Sequence, residues 1–224
     1  MGLSSFSAEA ALVTHTPDAD TFVRQGQSTT NFGAGTSITL KGGNAGTTRK
    51  GYIRYNIGSL AGNIIQATLK LEVLVNDSGG GNPPPSSHMV DVYGLKDLNT
   101  GENWDESTIT WANAPAMSPG NDFVGAEVTL LGTIGVTNTD ASGSIVTWSH
   151  PNLVSFLNDD SNNLVSLLLR RQGSSGANLA FASKENNDTI MAPTLELVIV
   201  PEPATMTLLG ASLGLSLARR RKKQ

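Results

Sequence analysis

Hydrogen-bonding side chains alternate with apolar ones over residues 49–57, and this spacing could place a ligand-binding strip on one face of a strand. Side chains two positions apart on a strand share a face, so Tyr52 and Arg54 point one way and Ile53 and Tyr55 the other. We expect the more apolar set to be buried and the polar strip to be exposed; the opposite orientation is the alternative. Sugar sites combine aromatic rings with hydrogen-bonding groups. The candidate ligand residues are Arg49, Lys50, Tyr52, Arg54, Asn56 and Trp104.

Residues that could support catalysis do not form a recognisable constellation. His15, His88 and His150 show neither the spacing of a Ser-His-Asp triad nor that of a metal site. Asp105 and Glu106 are adjacent carboxylates, and adjacent side chains on a strand point to opposite faces. The pair is more typical of a turn cap or a salt-bridge partner. The sequence therefore predicts a protein that is not an enzyme.

Two carboxylates near the start of the chain are candidate metal ligands. Asp18 and Asp20 are two positions apart and would share a strand face, where they offer the hard oxygen ligands that Ca²⁺ prefers. Two carboxylates alone are too few, so backbone carbonyls would have to complete the shell. The alternative is that both residues form an ordinary polar strand start. The prediction is a structural Ca²⁺ site at Asp18 and Asp20.

Charge is unevenly distributed along the 224 residues. The formal net charge is −4, but five of the 15 basic residues lie within the last six positions. Residues 1–203 therefore carry 10 basic against 19 acidic side chains, a net charge of −9. This acidic body disfavours nucleic-acid binding. Cysteine is absent, so the fold depends on its core or on a bound metal rather than on disulfides.

Short alternating segments separated by glycine-rich turns predict an all-β fold. Strands are expected over residues 18–24, 36–41, 49–57, 67–75, 89–95, 108–111, 123–131, 145–148, 164–171, 178–184 and 194–200. One short helix is expected over residues 151–158, with proline in its first turn. This pattern favours an antiparallel β-sandwich, specifically a jelly roll. The predicted domain spans residues 17–200, after a leader remnant or disordered N-terminus over residues 1–16.

Six short segments follow one another in the order seen in DNRLRE domains, which resemble carbohydrate-binding module family 96. They are Asp20-Thr21-Phe22-Val23, Asn31-Phe32-Gly33, Tyr52-Ile53-Arg54-Tyr55-Asn56-Ile57, Ala67-Thr68-Leu69-Lys70-Leu71, Trp104-Asp105-Glu106 with Thr110-Trp111, and Phe181-Ala182-Ser183-Lys184-Glu185 before Pro193-Thr194-Leu195. The resemblance implies a secreted jelly-roll protein associated with polysaccharide, with alginate as a ligand of some members. Lys184 departs from the arginine that is usual in the family, and an ammonium lacks the bidentate fork of a guanidinium.

The C-terminus resembles a PEP-CTERM sorting signal. The residues that carry this resemblance are Pro201, Glu202, Pro203, Arg219, Arg220 and Arg221, with an apolar stretch over residues 206–218 between the two groups. The resemblance implies that an exosortase recognises residues 201–224 and removes them while the apolar helix holds the protein transiently in the inner membrane. The basic end would then stay cytoplasmic. A plain membrane anchor is the alternative.

Three functions are consistent with these observations. The first is a secreted module that binds an extracellular polysaccharide, either alginate-like or produced by the cell itself. The second is a structural matrix or surface protein without a sugar site, and the third is a polysaccharide-degrading enzyme. An exposed strip of aromatic and basic side chains distinguishes the first from the second. The third requires a cleft with perturbed titratable groups.

Overall fold

The computed structural model describes residues 9–43, 46–77, 86–97, 101–118, 120–173, 178–186 and 191–201. Its strands are β1 Ala11–His15, β2 Ala19–Arg24, β3 Ser37–Leu40, β4 Arg49–Asn56, β5 Gly62–Asp77, β6 His88–Leu95, β7 Val128–Val136, β8 Ile145–Trp148, β9 Leu164–Arg171, β10 Asn178–Ala182 and β11 Thr194–Pro201. One α-helix, α1, spans Pro151–Asn158, where the sequence predicted it.

The strands form two antiparallel sheets that pack face to face. One sheet has the order β1-β11-β5-β10-β3, with β8 also paired to β5, and the other has the order β2-β4-β9-β6-β7. Within them, β1-β11-β5-β8 and β4-β9-β6-β7 follow the strand order of a jelly roll. The extra length of β5 lets it pair first with β11 and then with β10. The predicted antiparallel jelly-roll sandwich with one short helix is confirmed.

The main core lies between the two sheets and follows the two-residue period of the strands. Ile53 and Tyr55 on β4 face Leu69 and Leu71 on β5, and Phe181 of β10 joins them in the same fully buried cluster. The sequence predicted this inward face of β4 and β5 correctly. Burial of such side chains is the main term that stabilises a chain without disulfides.

A second core lies on the opposite face of the five-stranded sheet. Tyr52 and Leu168 point outward from β4 and β9, but residues 101–118 and 120–127, which we call the covering segment, fold over them. Trp104, Trp111 and Phe123 of the covering segment complete this cluster. The sheet is therefore buried on both faces over much of its area, which explains the nearly continuous apolar run of β9.

Several segments differ from the sequence-based expectation, among them β5, which begins at Gly62 rather than at residue 67. The folded part begins at Ala11 rather than at residue 17, because β1 pairs with β11 along the edge of the first sheet. Residues 108–111 form turns rather than a strand. The Asp105 carboxylate accepts a hydrogen bond from the Ser107 backbone at 2.8 Å, and the Asn113 side-chain oxygen accepts one from the Thr110 backbone at 2.6 Å. The strand expected from residue 123 begins at Val128.

Candidate functional site

The predicted polar strip on β4 is not exposed as expected. Tyr52 is fully buried, its hydroxyl donates to the Pro115 carbonyl at 3.0 Å, and its ring meets Trp104 edge-to-face with the centroids 6.0 Å apart. Trp104 is also buried, and its indole N–H donates to the Ser166 hydroxyl at 3.0 Å. Tyr52 lies on the face opposite Ile53, as expected, but its expected exposure is wrong because the covering segment, rather than solvent, meets this face. Neither aromatic ring offers a free surface to a sugar.

Lys50 is the cation of this second core rather than a surface group. Its ammonium donates to the Asp122 carbonyl at 2.6 Å and lies 4.9 Å from the Trp111 ring centroid and 4.7 Å from that of Phe123. Burial, together with the neighbouring positive charge of Arg170, lowers the pKa of Lys50 to about 8. The cation-π contacts and the carbonyl hydrogen bond hold the ammonium in place inside the protein.

Arg54 lies in a shallow cleft of about 330 Å³, but its donors are already used. The guanidinium forms an ion pair with Asp18 at 2.9 Å, donates to the Asn103 side chain at 3.3 Å and to the Trp104 carbonyl, and stacks over the Trp104 ring. Asp105 and Glu106 also line the cleft. A polyanion would have to displace the Asp18 carboxylate here and would meet two more negative charges. Asn56 is exposed at the end of the same strand, where its side chain accepts a hydrogen bond from the Gly58 backbone.

The short motifs of the sequence meet in one network that clamps the covering segment to the sheets. The Asn31 side chain donates to the carbonyls of Glu106 and Ile109, each at 2.7 Å. The Glu106 carboxylate accepts from the Asp20 backbone at 2.7 Å and pairs with the Lys184 ammonium at 2.7 Å. Asp105 and Glu106 thus act as a turn cap and a salt-bridge partner, as the sequence indicated. This network positions the covering segment and is not itself a ligand site.

Asp20 is fully buried in this network, and Asp18 is not part of it. The Asp20 carboxylate accepts from the Lys184 backbone at 2.8 Å and lies with the Glu106 and Glu185 carboxylates in a group whose oxygens fall within 4.8 Å of one another. The Lys184 ammonium pairs with both glutamates and so supplies the positive charge that a metal ion would otherwise supply. Ca²⁺ binding by Asp18 and Asp20 stays a prediction, and the geometry does not favour it because Asp18 faces Arg54.

Asp20 gives the fold a pH dependence that can be measured. Burial raises the pKa of Asp20 from 3.8 to about 7, and the charges of Glu185 and Glu106 contribute in the same direction against the Lys184 backbone hydrogen bond. The folded state therefore binds this proton more tightly than the unfolded state, and stability falls as the pH rises from about 4 through 7. Asp20→Asn has no carboxyl group to titrate at this position, so it should not show this fall in stability.

We expect the unfolding free energy of the wild type to fall relative to Asp20→Asn by about 2 kcal/mol between pH 5 and pH 7. Denaturant unfolding of both proteins at matched pH values measures this difference, and titrations elsewhere in the chain cancel in the comparison. A difference that does not change with pH would contradict the assignment.

Arg24, Lys41 and Arg49 form a cationic group at one end of the sandwich, which we call the rim patch. The register places Arg24 directly opposite Arg49 on neighbouring strands, and Lys41 forms an isolated β-bridge with Arg49. Phe22 and Phe32 stack beside the patch with their centroids 4.4 Å apart, and the Arg49 guanidinium lies 5.9 Å from the Phe22 ring. All five side chains are partly exposed. Three positive charges and two aromatic rings therefore share one accessible edge.

The described part of the chain supplies no carboxylate that neutralises the rim patch. Within the described ranges, no carboxylate forms an ion pair with Arg24, Lys41 or Arg49. The Nε atoms of both arginines are buried without a hydrogen-bond partner there. Burial lowers the pKa of Arg49, and the charge of Arg24 lowers it further. An anionic ligand would relieve this repulsion.

Arg49 is the one member of the rim patch that was predicted from the sequence as a ligand residue; Arg24 and Lys41 were not. Arg24 ends β2, Lys41 follows β3, and Arg49 begins β4. The sequence did carry a signal for this patch, because a cation lies at one end of each of three consecutive strands. Only the pairing of the strands shows that these three ends lie together. A second cleft, of about 420 Å³, lies beside His150 and the exposed Ile65. It has neither lysine nor arginine in its lining.

The sorting residues can be placed only in part. Pro201 ends β11, and the remaining ones, Glu202, Pro203, Arg219, Arg220 and Arg221, lie outside the described residues, as does the predicted sorting helix over residues 206–218. Among the residues that the structure describes, no helix is long and apolar enough to span a membrane.

Comparison with known proteins identifies both parts of the chain. A solved structure of winged bean acidic lectin complexed with methyl-alpha-D-galactose is similar at 10% identity and a TM-score of 0.34, and covers 87% of this chain and 100% of the lectin chain. No curated protein matches. Residues 200–222 match the PEP-CTERM protein-sorting motif, which indicates export and sorting to the cell surface. Residues 11–199 match the model of carbohydrate-binding module family 96, and the chain belongs to that family.

Proposed function

We propose that this protein is released at the cell surface by an exosortase and binds an acidic extracellular polysaccharide through the rim patch. The observation that carries the proposal is the group of Arg24, Lys41 and Arg49 beside two stacked phenylalanine rings, with no ion-pairing carboxylate among the described residues. Membership of a carbohydrate-binding family and the sorting motif support the same function. The network around Arg54 serves the fold instead, because each of its donor nitrogens already has a protein acceptor.

The chemistry of the rim patch suits a polyuronate such as alginate. Each sugar unit of such a polymer carries one carboxylate, and guanidinium groups bind carboxylates through short, charge-assisted hydrogen bonds. The apolar face of a sugar ring can pack on an aromatic ring, which Phe22 provides at the same edge. A chain with a repeating carboxylate can therefore meet several of the three cations at once.

The acidic body opposes this interaction at long range. Residues 1–203 carry a net charge of −9, so a polyanion is repelled until it is close to the rim patch. The Debye length is about 8 Å at physiological ionic strength, so distant carboxylates are largely screened while direct contacts are not. We therefore expect the rim patch to bind such a polymer weakly, with a Kd in the micromolar to millimolar range.

Arg49→Ala and Lys41→Ala should each weaken binding to alginate oligosaccharides, and the double variant should weaken it about tenfold or more, equivalent to about 1.4 kcal/mol. Isothermal titration of the full chain measures these affinities. The matched control is Lys96→Ala, which removes an exposed cation far along the chain whose ammonium donates to the Ala126 carbonyl. This control should leave binding unchanged.

Salt separates the local attraction from the overall repulsion. If the rim patch carries binding, raising the salt concentration should weaken it. If binding instead strengthens with salt and the protein prefers a neutral glycan, the rim patch is not the binding site. Absence of binding to acidic and neutral glycans alike, with the fold intact, would support the alternative of a structural matrix protein without a sugar site.

Sorting has its own test. We expect the native host to remove the C-terminal segment after transient anchoring in the inner membrane and to release the body outside the cell. Intact-mass measurement of the extracellular protein reports the result directly. A species that still carries Arg219 to Gln224 would contradict removal of the tail.

A further inference from the structure

A second group of three carboxylates lies at the start of the covering segment, away from the rim patch. Asp97 follows β6, Glu102 lies in the next described turn, and Asp160 lies in the loop between α1 and β9. One oxygen of each carboxylate lies within 4.8 Å of the others. The fold thus brings Asp160 to Glu102 and Asp97, which lie 58 and 63 positions before it, and three carboxylates converge on one point.

The α1–β9 loop fixes the orientation of these carboxylates. The Ser161 backbone and hydroxyl donate to Asp97 Oδ2 at 2.7 and 2.6 Å. The Asn162 side chain donates to Glu102 Oε2 at 2.8 Å. The Asp160 Oδ2 atom accepts a backbone hydrogen bond at 2.5 Å within the same loop. Each carboxylate is therefore anchored through one oxygen.

Glu102 supplies an independent sign that a ligand belongs here. It is only 5% exposed, and its Oε1 atom is buried without a hydrogen-bond partner in the described part of the chain. Within the same residues, neither lysine nor arginine forms an ion pair with Asp97, Glu102 or Asp160. A buried carboxylate oxygen with no partner is costly. Burial raises the pKa of Glu102, and the charges of Asp97 and Asp160 contribute to the same rise.

We propose that Asp97, Glu102 and Asp160 bind one Ca²⁺ ion. All three ligands are carboxylate oxygens, the hard donors that Ca²⁺ takes in an adaptable shell of about six to eight oxygens. Water and loop carbonyls would complete that shell. The site lacks nitrogen and sulfur donors, which disfavours zinc and copper. Mg²⁺ requires near-ideal octahedral geometry and retains its water more tightly, so it should bind more weakly.

The position of this ion gives it a structural role. Glu102 is two residues before Trp104, which is buried against Ser166 of β9. A cation shared by Glu102 and Asp160 would tie the start of the covering segment to the loop that leads into β9. Binding should therefore stabilise the second core against thermal unfolding and should be reported by the tryptophans within it.

The test uses the full chain after treatment with a chelator. Isothermal titration with CaCl₂ should show one ion per chain, with an affinity of about 10⁻⁴–10⁻³ M as in extracellular modules. Saturating Ca²⁺ should raise the Tm by several degrees, and the same concentration of Mg²⁺ should raise it less. Glu102→Gln should weaken Ca²⁺ affinity about tenfold or more. The control Glu185→Gln, in the other carboxylate group, should leave Ca²⁺ affinity unchanged.

Three results would overturn the proposal. The first is a folded wild-type protein that shows neither binding heat nor a shift in Tm with CaCl₂. The second is a Glu102→Gln variant that binds Ca²⁺ as the wild type does. The third is loss of binding in Glu185→Gln alone, which would place the ion beside Asp20. If Glu102→Gln fails to fold, the more exposed Asp97→Asn decides between the same outcomes.

Discussion

Leu71→Ala is expected to lower the free energy of unfolding by about 2–5 kcal/mol, the range for a leucine truncated in a packed core. Leu71 is 1% exposed on β5, which is the strand that pairs with β11, β10 and β8. Its loss would open a cavity at the centre of the main core, where the surrounding strands are held on both sides and can relax only in part. Denaturant unfolding measures the change.

The matched control for Leu71 is Leu130→Ala, also a leucine on a strand but 49% exposed. This change should cost less than about 0.5 kcal/mol, as is usual for surface substitutions. Equal effects at the two positions would show that the burial of Leu71 does not determine its contribution to stability. A cost below about 0.5 kcal/mol at Leu71 would contradict the main core described above.

Lys184→Met is expected to destabilise the fold by about 3 kcal/mol, because it leaves partly buried carboxylates without their cation. Burial alone lowers the pKa of the Lys184 ammonium, but the hydrogen bonds from Lys184 to Glu106 and Glu185 outweigh it and raise the pKa overall. Removing the ammonium would bring Glu106, Glu185 and the buried Asp20 into uncompensated repulsion. The covering segment should then loosen, so tryptophan fluorescence should change before the sheets unfold.

Two comparisons make the Lys184 prediction specific. Lys70→Met also removes one partner of an ion pair, Lys70–Glu196, whose side chains are about as exposed as that of Lys184. Because this ion pair involves a single carboxylate, Lys70→Met should lower the free energy of unfolding by less than about 1 kcal/mol. Lys184→Arg retains the charge and should preserve most of the stability. Equal losses for Lys184→Met and Lys70→Met would contradict the clamping role.

Regular elements with a clear period were predictable from the sequence. The helix Pro151–Asn158 and the strand Leu164–Arg171 have the predicted bounds, because proline placement and a continuous apolar run indicate them directly. Strand β1 was missed because most of its side chains are exposed and its backbone pairing with β11, rather than apolar burial, holds it. The turns around Asp105 and Asn113 replaced an expected strand because their side chains cap the backbone locally.

The candidate site was harder to predict because it depends on which strands are neighbours. Alternation along β4 correctly separates its two faces but does not reveal that the covering segment buries the second one. The continuous apolar run of β9 was the signal for burial on both faces. Arg24, Lys41 and Arg49 are separated by glycine-rich loops, and only the registers bring them together. Asp20, Glu106 and Lys184 likewise lie in motifs that are each recognisable in the sequence, but only the fold brings the three side chains together.

Binding of an acidic polysaccharide at the rim patch can be tested by a crystal structure of the protein with an acidic oligosaccharide. A tetramer of mannuronate is a suitable ligand because it carries one carboxylate per sugar. We expect sugar carboxylates within hydrogen-bond distance of Arg24, Lys41 or Arg49 and one sugar ring packed on Phe22. An oligosaccharide seated in the cleft beside Arg54 or the cleft beside His150, with the rim patch empty, would contradict it.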